Sequence, residues 1–112
     1  MKNLKIYCVT NKAIDFLSNT NYDLAWVGQE KAPKDYLKCD TGDNIYLKEK
    51  NYSELTFHYW FWKNKLDLNI ENWVGFCQKR RFWIKKNSEN KNINHSNIND
   101  HLLERIPSDW GD

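Results

Sequence analysis

The sequence predicts a single α/β domain with at least one pair of parallel strands. Short apolar runs rich in β-branched and aromatic residues, which are typical of strands, occur at 4–12, 24–28 and 73–77. A strongly apolar segment with helical character, 51–65, separates the second run from the third. The order strand, strand, helix, strand is typical of α/β domains, and 112 residues suffice for one such domain.

The first two strands are short and each ends in residues that break a strand. LKIYCVTNK (4–12) passes from a buried-type run into a polar exit loop, and LAWVG (24–28) is closed by Gly28. Residues 29–50 are polar and irregular, and they include the loop CDTGDNI (39–45). We therefore expect no further strand before the helix.

The helix at 51–65 has a recognisable start signal. Asn51 is predicted as the N-cap, and Glu54, three residues later, can complete a capping box. Glu54 is therefore interpreted as a cap in preference to a site residue. The interior is apolar almost all round, so the helix is expected to be largely buried. His58 is accordingly interpreted as a core histidine in preference to a base or ligand.

The aromatic residues of this helix have two interpretations. Tyr59, Trp60 and Trp62 would form part of the core or, less favoured, a platform on which bases stack.

The C-terminal part contains one strong strand signal and weaker ones after it. WVGFC (73–77) is nearly continuously apolar, which favours the interior of a sheet covered on both faces. Residues 84–100 form a polar connection that we expect to be mobile. A short last helix is predicted at 98–106, with Ser96 or Asn97 as its cap.

Charge and cysteine content restrict the class of protein. The 17 Lys and Arg against 15 Asp and Glu give a net charge of +2, too even for a general nucleic-acid binder, so an anion site would be local. Three cysteines with no CxxC spacing favour reduced thiols and a cytoplasmic protein without a structural metal site. The apolar run after Met1 is too short for a signal peptide, and no run of 18 apolar residues predicts a membrane span.

Three polar clusters fall at predicted strand ends or in a neighbouring loop, where ligands of open α/β sheets bind. They are Thr10, Asn11 and Lys12; Asp40, Thr41, Gly42, Asp43 and Asn44; and Gln78, Lys79, Arg80 and Arg81. If they converge, the two arginines can hold a diphosphate through forked hydrogen bonds, and the acid and amide groups can bind sugar hydroxyls. Each cluster alone also fits an ordinary solvated turn.

Four blocks of the sequence resemble a family of bacterial glycosyltransferase-like domains from capsule and exopolysaccharide gene clusters, catalogued as a domain of unknown function. The blocks are KIYCVTNK (5–12), DTGDNI (40–45), ELTFHYWFWKN (54–64) and VGFCQKRRFW (74–83). The family forms corresponding to the last two are ELTxxYWxWKN and GxCHYRRYF. The resemblance spans about residues 4 to 83, with the blocks in the right order and spacing.

The resemblance implies a Rossmann-like GT-A fold that binds a nucleotide sugar. In such folds the strand at 73–77 usually ends in an Asp-x-Asp that holds Mn²⁺ or Mg²⁺ on the donor diphosphate. No Asp-x-Asp occurs here, and Arg80 and Arg81 would take over the neutralisation of the leaving diphosphate. Asn11 and Gln78 stand where the family has histidines, so no catalytic residue is assigned.

Family members are more than twice as long as this chain, which implies that it corresponds to an N-terminal, donor-binding half-domain and is inactive alone. The codons for Trp110 and Gly111 must contain at least four consecutive G, so a frameshifted or truncated product is expected.

The function expected from the resemblance is hexosyl transfer in capsular polysaccharide synthesis. The expected partners are a UDP-sugar donor and a polysaccharide or lipid-linked glycan acceptor, with the protein peripheral at the inner membrane. The alternative is a small non-catalytic module that binds a protein or single-stranded nucleic acid, although the nearly neutral charge weighs against nucleic acid.

Overall fold

A parallel four-stranded sheet forms the centre of the domain. The computed structural model describes residues 4–17, 20–66, 73–78, 82–88, 91–94 and 96–107. The strands are β1 (Leu4–Thr10), β2 (Asp23–Trp26), β3 (Leu37–Lys38) and β4 (Trp73–Gln78). Their order is β3-β2-β1-β4, and every pairing is parallel. The predicted α/β class is confirmed, and the arrangement is consistent with a Rossmann-like fold.

Strand β1 is central and fixes which residues share the carboxyl edge of the sheet. Its last residue, Thr10, is in register with Trp26 of β2, and Val9 is in register with Gln78 of β4. Three strands therefore end at nearly the same level. Among the described residues, Thr10 at the end of β1 and Gln78 at the end of β4 therefore lie at the same edge of the sheet.

Strand β4 differs from its predicted place in the interior of the sheet. Within the described residues it pairs with β1 alone and ends the strand order. Its apolar side chains are mostly half-buried because α-helical and loop aromatic residues pack against them. The indole N–H of Trp83 donates to the Phe76 carbonyl at 3.0 Å, which satisfies one backbone acceptor of this strand.

The helix predicted at 51–65 is divided into two. Helix α1 spans Glu49–Tyr52 and helix α2 spans Leu55–Asn64. Between them Ser53 has a φ of 51°, in the left-handed region that interrupts a right-handed helix. Asn51 consequently lies inside α1, so its prediction as the N-cap was wrong. Glu54 occupies the position before α2 and makes no capping hydrogen bond.

The inner face of α2 forms one half of the core with the sheet. Phe57 is completely buried, and its ring centroid lies 5.4 Å from that of Tyr7 in β1 and 6.1 Å from that of Phe76 in β4. Trp60 and Phe61 are also buried on this face. Large aromatic rings packed at these distances combine area burial with favourable ring contacts.

The outer face of α2 is exposed, contrary to the expectation of a largely buried helix. Trp62 is 58% exposed, and Leu55 and Leu66 are exposed as well. The Lys63 ammonium lies 4.0 Å from the Trp62 ring centroid, a cation–π contact at the surface. Of the three aromatic residues in the predicted stripe, Trp60 belongs to the core and Trp62 does not.

The opposite face of the sheet is covered by turns and irregular segments. Its buried cluster comprises Ile6, Cys8, Leu17, Tyr22, Cys77, Ile98 and Leu102. The predicted last helix is reduced to a 3₁₀ turn, Ile98–Asp100. Its remainder instead pairs with residues 83–85: Ile84 bridges Leu102 in antiparallel fashion, and the Leu103 N–H donates to the Trp83 carbonyl at 2.9 Å. In this segment, pairing with residues 83–85 outweighs the local preference for a helix.

The three cysteines are free and buried, as expected for small apolar residues in this core. In the part of the chain that the structure describes, no helix is long and apolar enough to cross a membrane.

Candidate functional site

A small cleft opens at the carboxyl edge of the sheet, between the ends of β1 and β4. It has a volume of about 80 Å³. Its polar lining brings together Thr10, Asn11, Ser53, Glu54 and Gln78. Of the strand-end residues predicted after β1 and β4, the structure thus brings together Thr10, Asn11 and Gln78. We refer to this space as the strand-end cleft.

The turn after β1 is held by its own side chains. The Thr10 hydroxyl accepts from the Lys12 N–H at 3.0 Å and lies 2.7 Å from the Lys12 carbonyl, to which it donates. The Thr10 carbonyl accepts from the Val27 N–H at 3.0 Å, which joins this turn to the exit of β2. Thr10 is buried, whereas Asn11 and Lys12 are exposed. Asn11 lines the strand-end cleft, and the Lys12 side chain does not.

Glu54 is the acidic residue of this site. The amide of Gln78 donates to Glu54 Oε1 at 3.0 Å, so α2 and β4 are joined directly above the strand ends. Ser53 interrupts the helix immediately before Glu54, which frees its side chain from capping. One amide donor occupies only part of the hydrogen-bonding capacity of a carboxylate. Glu54 is therefore available to a ligand.

A second and larger cavity, of about 300 Å³, shares Glu54 and Gln78 with the strand-end cleft. We call it the aromatic pocket, because most of its remaining lining bears rings: His58, Phe76, Phe82 and Trp83. Burial lowers the pKa of His58, and the nearby Glu54 carboxylate opposes this shift without cancelling it. His58 is thus neutral near pH 7, and its ring centroid lies 4.5 Å from that of Phe76.

Cys77 also lines the aromatic pocket, but it is a poor nucleophile. A hydrogen bond with Cys8 and burial both raise the pKa of its thiol far above the ordinary value. Since the thiolate is the reactive form of cysteine, a thiol held protonated in this way is inert.

The loop DTGDN (40–44) follows β3 at the same edge of the sheet, and α2 holds it in place. The Tyr59 hydroxyl donates to Asp43 Oδ1 at 2.8 Å, and the Trp60 indole N–H donates to the Thr41 carbonyl at 2.9 Å. The Asn64 amide donates to the Asp43 carbonyl at 2.8 Å. The sequence blocks DTGDNI (40–45) and ELTFHYWFWKN (54–64) are thus in direct contact with each other.

Glycine is required at position 42 by this contact. Gly42 has a φ of 60°, and a Cβ there would collide with the Asn64 side-chain oxygen. Asn44 closes the turn, since its side-chain oxygen accepts from the Tyr46 N–H at 3.1 Å. Residues 40–44 line neither the strand-end cleft nor the aromatic pocket. A role of Asp40, Asp43 or Asn44 in binding a sugar stays a prediction.

The three cations of the third predicted cluster, Lys79, Arg80 and Arg81, lie outside the described residues. In the sequence they join Gln78 to Phe82, and both of these residues line the aromatic pocket.

Sequence reasoning undervalued Glu54 and His58. They are four residues apart and hence on one face of a helix, and they are polar side chains in an otherwise apolar segment. That spacing was a usable signal for a site. Ser53, Phe82 and Trp83 carried no comparable signal, because their place in the cavities depends on how the chain turns after α1 and β4.

The described residues do not fit a divalent-metal site. Hard cations such as Mg²⁺ and Mn²⁺ take several oxygen ligands, often from more than one carboxylate. Glu54 is the single carboxylate among the described residues lining the two cavities. No group of three or more His, Cys, Asp or Glu side chains elsewhere in the described ranges is placed to hold a metal ion.

Comparison with known proteins gives a family and no activity. No curated protein and no solved structure shows significant similarity to this chain. Residues 5–107 match the family described as Domain of unknown function (DUF4422). Because this match covers nearly the whole chain, including all four strands and α2, the protein belongs to the DUF4422 family.

Proposed function

We propose that this chain is the N-terminal, nucleotide-sugar-binding part of a glycosyltransferase that acts in the synthesis of a capsular or surface polysaccharide. A UDP-sugar is the proposed donor, and a polysaccharide or lipid-linked glycan is the acceptor of the complete enzyme. The proposal places the chain in the cytoplasm, peripheral to the inner membrane.

The observation that carries the proposal is the convergence of polar residues at the ends of two neighbouring parallel strands. Thr10 and Asn11 follow β1, Gln78 ends β4, and all three line the strand-end cleft. Nucleotide-type ligands of open α/β sheets bind outside the carboxyl ends of the strands, at the crevice between them. The sheet order supports this position, since β1 lies between β2 and β4.

The chemistry proposed for this edge is electrostatic stabilisation of a leaving diphosphate. Arg80 and Arg81 follow Gln78 in the sequence, and guanidinium groups bind phosphate oxygens through paired hydrogen bonds. Thr10, Asn11 and Lys12 would border the nucleotide, and the loop that α2 holds in place would supply Asp40, Asp43 and Asn44 to the ribose or the sugar. Cations are preferred to a metal here, because the described residues offer too few carboxylates for one.

A thermal-shift titration of the purified chain with UDP, UDP-sugars, CDP and GDP, with and without Mn²⁺, tests the proposal. A ligand at 100 times its Kd adds about 2.7 kcal/mol to the free energy of unfolding, so a UDP-selective rise in Tm is expected. Arg80→Ala combined with Arg81→Ala should remove that rise. Lys86→Ala combined with Lys91→Ala removes two exposed cations outside both cavities and should leave it unchanged.

Two results would reject the proposal. One is a cooperative transition that no nucleotide shifts. The other is a UDP shift that requires Mn²⁺ and survives the double arginine substitution, since diphosphate binding would then depend on a metal.

A second candidate function is a non-catalytic module that binds a partner protein, and the exposed face of α2 favours it. Leu55 and Trp62 of this helix, and Leu66 just beyond it, leave large apolar side chains in solvent, where a partner protein could cover them. This alternative predicts a partner whose binding is lost in Trp62→Ala and indifferent to UDP. Selective competition by UDP is the opposite outcome and favours the transferase.

A further inference from the structure

The aromatic pocket has one polar side and one side made of rings. Glu54 and Gln78 supply the polar side, and they are fixed to each other by the 3.0 Å hydrogen bond. Its volume of about 300 Å³ is at the lower end of the range, roughly 300–1,000 Å³, found for small-molecule sites. A few convergent polar groups within an apolar wall are the usual composition of such a site.

The charge of this pocket selects against anions. Among its described lining residues Glu54 is the acidic one, and burial lowers the pKa of His58, so the imidazole adds no positive charge near neutral pH. A phosphate or carboxylate placed beside Glu54 would meet a like charge in a partly desolvated space. The described lining therefore disfavours an anion such as the diphosphate, whereas a neutral molecule meets no such repulsion.

The ring side of the pocket is preformed. The His58 and Phe76 ring centroids are 4.5 Å apart, so these side chains make one continuous apolar surface. The hydrogen bond from Trp83 to the Phe76 carbonyl fixes the indole beside β4, although 50% of this residue remains exposed. Exposed aromatic surface held in this way loses little conformational entropy when a ligand covers it.

Sugar rings combine the two chemistries that this pocket offers. The C–H groups of a pyranose carry partial positive charge and pack on the electron-rich faces of aromatic rings. Its hydroxyl groups donate to a carboxylate and accept from an amide, the pair that Glu54 and Gln78 provide. A nucleobase would also stack and could pair its N–H and C=O groups with the same two side chains, so the uridine arm of the test below distinguishes it from a sugar.

We propose that the aromatic pocket binds one sugar ring of a neutral glycan acceptor, with Glu54 and Gln78 hydrogen-bonded to its hydroxyls and Phe82 and Trp83 packed against its C–H groups. The inference rests on the proposed function. Glu54 and Gln78 line both cavities, so an acceptor ring held here lies next to the strand-end cleft assigned to the donor.

The test uses the full chain labelled with 5-fluorotryptophan. The sequence contains six Trp, and Trp83→Phe identifies the ¹⁹F signal of Trp83 by its loss. Methyl glycosides of glucose, galactose and N-acetylglucosamine are titrated separately, and uridine and UDP are titrated in parallel. At least one glycoside is expected to shift the Trp83 signal saturably, whereas uridine leaves it unchanged.

Substitutions on the two sides of the pocket sharpen the test. Glu54→Gln and Gln78→Leu should each weaken glycoside binding at least fivefold, and Phe82→Leu should weaken it less. Trp62→Phe is the matched control, because Trp62 is equally exposed but lies outside the pocket. Its substitution should leave the glycoside affinity unchanged.

The outcomes separate this inference from the donor proposal. The pocket assignment is overturned if no glycoside shifts Trp83, if uridine shifts it as strongly, or if the Trp62 signal moves with it. UDP binding without glycoside binding removes the pocket assignment alone. Glycoside binding without any response to UDP supports a carbohydrate site and removes the donor proposal.

Discussion

The two ends of the parallel sheet use their charged residues in opposite ways. At the amino end Lys5 of β1 and Asp23 of β2 form an ion pair at 2.7 Å, and Glu104 accepts from the Asn21 N–H at 2.7 Å. At the carboxyl end the Glu54 carboxylate accepts a hydrogen bond from the neutral amide of Gln78. The charged groups named at the amino end are used in contacts within the fold, whereas Glu54 at the carboxyl end remains available to a ligand.

The larger cavity lies at the amino end of the sheet, although the candidate site lies at the carboxyl end. The amino-end groove beside Lys5 and Asp23 measures about 710 Å³, more than twice the volume of the aromatic pocket. Its described polar groups include both signs of charge, with Arg105 beside Glu104. We therefore assign the candidate site by the chemistry of its lining and its place at the strand ends, and not by volume.

The largest expected effect is on stability, through the packing of α2 against the sheet that carries both ends. Phe57→Ala removes a completely buried ring between β1 and β4 and should lower the free energy of unfolding by about 3–5 kcal/mol. Urea denaturation followed by circular dichroism measures it. Trp62→Ala, on the exposed face of the same helix, should change stability by less than about 1 kcal/mol. Equal losses in the two variants would contradict the described packing of α2.

The next effect tests whether the two ends are mechanically connected. Tyr22 precedes β2, and its hydroxyl donates to the Leu103 carbonyl at 2.8 Å with the Trp83 carbonyl 3.2 Å away. Tyr22→Phe leaves the Leu103 carbonyl without this donor, although the Trp83 carbonyl keeps the Leu103 N–H, and should cost about 1–3 kcal/mol. It should also broaden or shift the ¹⁹F signal of Trp83 at the other end. A stable variant with an unchanged Trp83 signal would show that the ends are independent.

A smaller effect is expected at the amino end itself. Lys5 and Asp23 are each nearly half exposed, so Asp23→Asn should cost no more than about 1 kcal/mol, and less in high salt. Glycoside binding in the aromatic pocket should remain at its original affinity, in contrast to the loss expected for Glu54→Gln. If Asp23→Asn weakened that binding as much, the contrast between the two ends would fail.

The smallest effect is a pH dependence from His58. Because its pKa in the folded protein lies below the ordinary value near 6.5, the unfolded chain takes up a proton more readily. Stability should therefore fall as the pH decreases below about 6.5 and be fully present above it. Denaturation at pH 7.5 and 5.5 should show a smaller difference for His58→Gln than for the original chain. An identical difference would assign the pH dependence to other groups.

Much of the sheet could be predicted from the sequence because its strands are compact runs of β-branched and aromatic residues. The predicted strand at 4–12 contains β1, the one at 24–28 overlaps β2 at all but its first residue, and WVGFC coincides with β4 except for its last residue. The two-residue strand β3 was missed, since so short a segment has no periodicity of its own. The helix at 98–106 was predicted wrongly, because pairing with residues 83–85 outweighs its local signal.

The candidate site was predictable where it depends on strand ends and unpredictable where it depends on side-chain direction. Thr10, Asn11 and Gln78 were identified from the sequence, since residues after parallel strands share one edge of a sheet. Glu54 was assigned to capping, because a regular helix start predicts that role. The positive φ of Ser53 interrupts the helix before Glu54 and so removes its capping role. A serine at that position does not predict such a conformation.

By itself, the sequence determined the α/β class, the buried character of β1 and β2, and the polar residues that follow the strands. These depend on local composition and on the period of the apolar pattern, which any reading of the chain can recover. The tertiary structure alone decided that β4 ends the described strand order, that α2 anchors the DTGDN loop, and that Glu54 faces Gln78. Those features join residues distant in sequence, and only packing determines which distant groups meet.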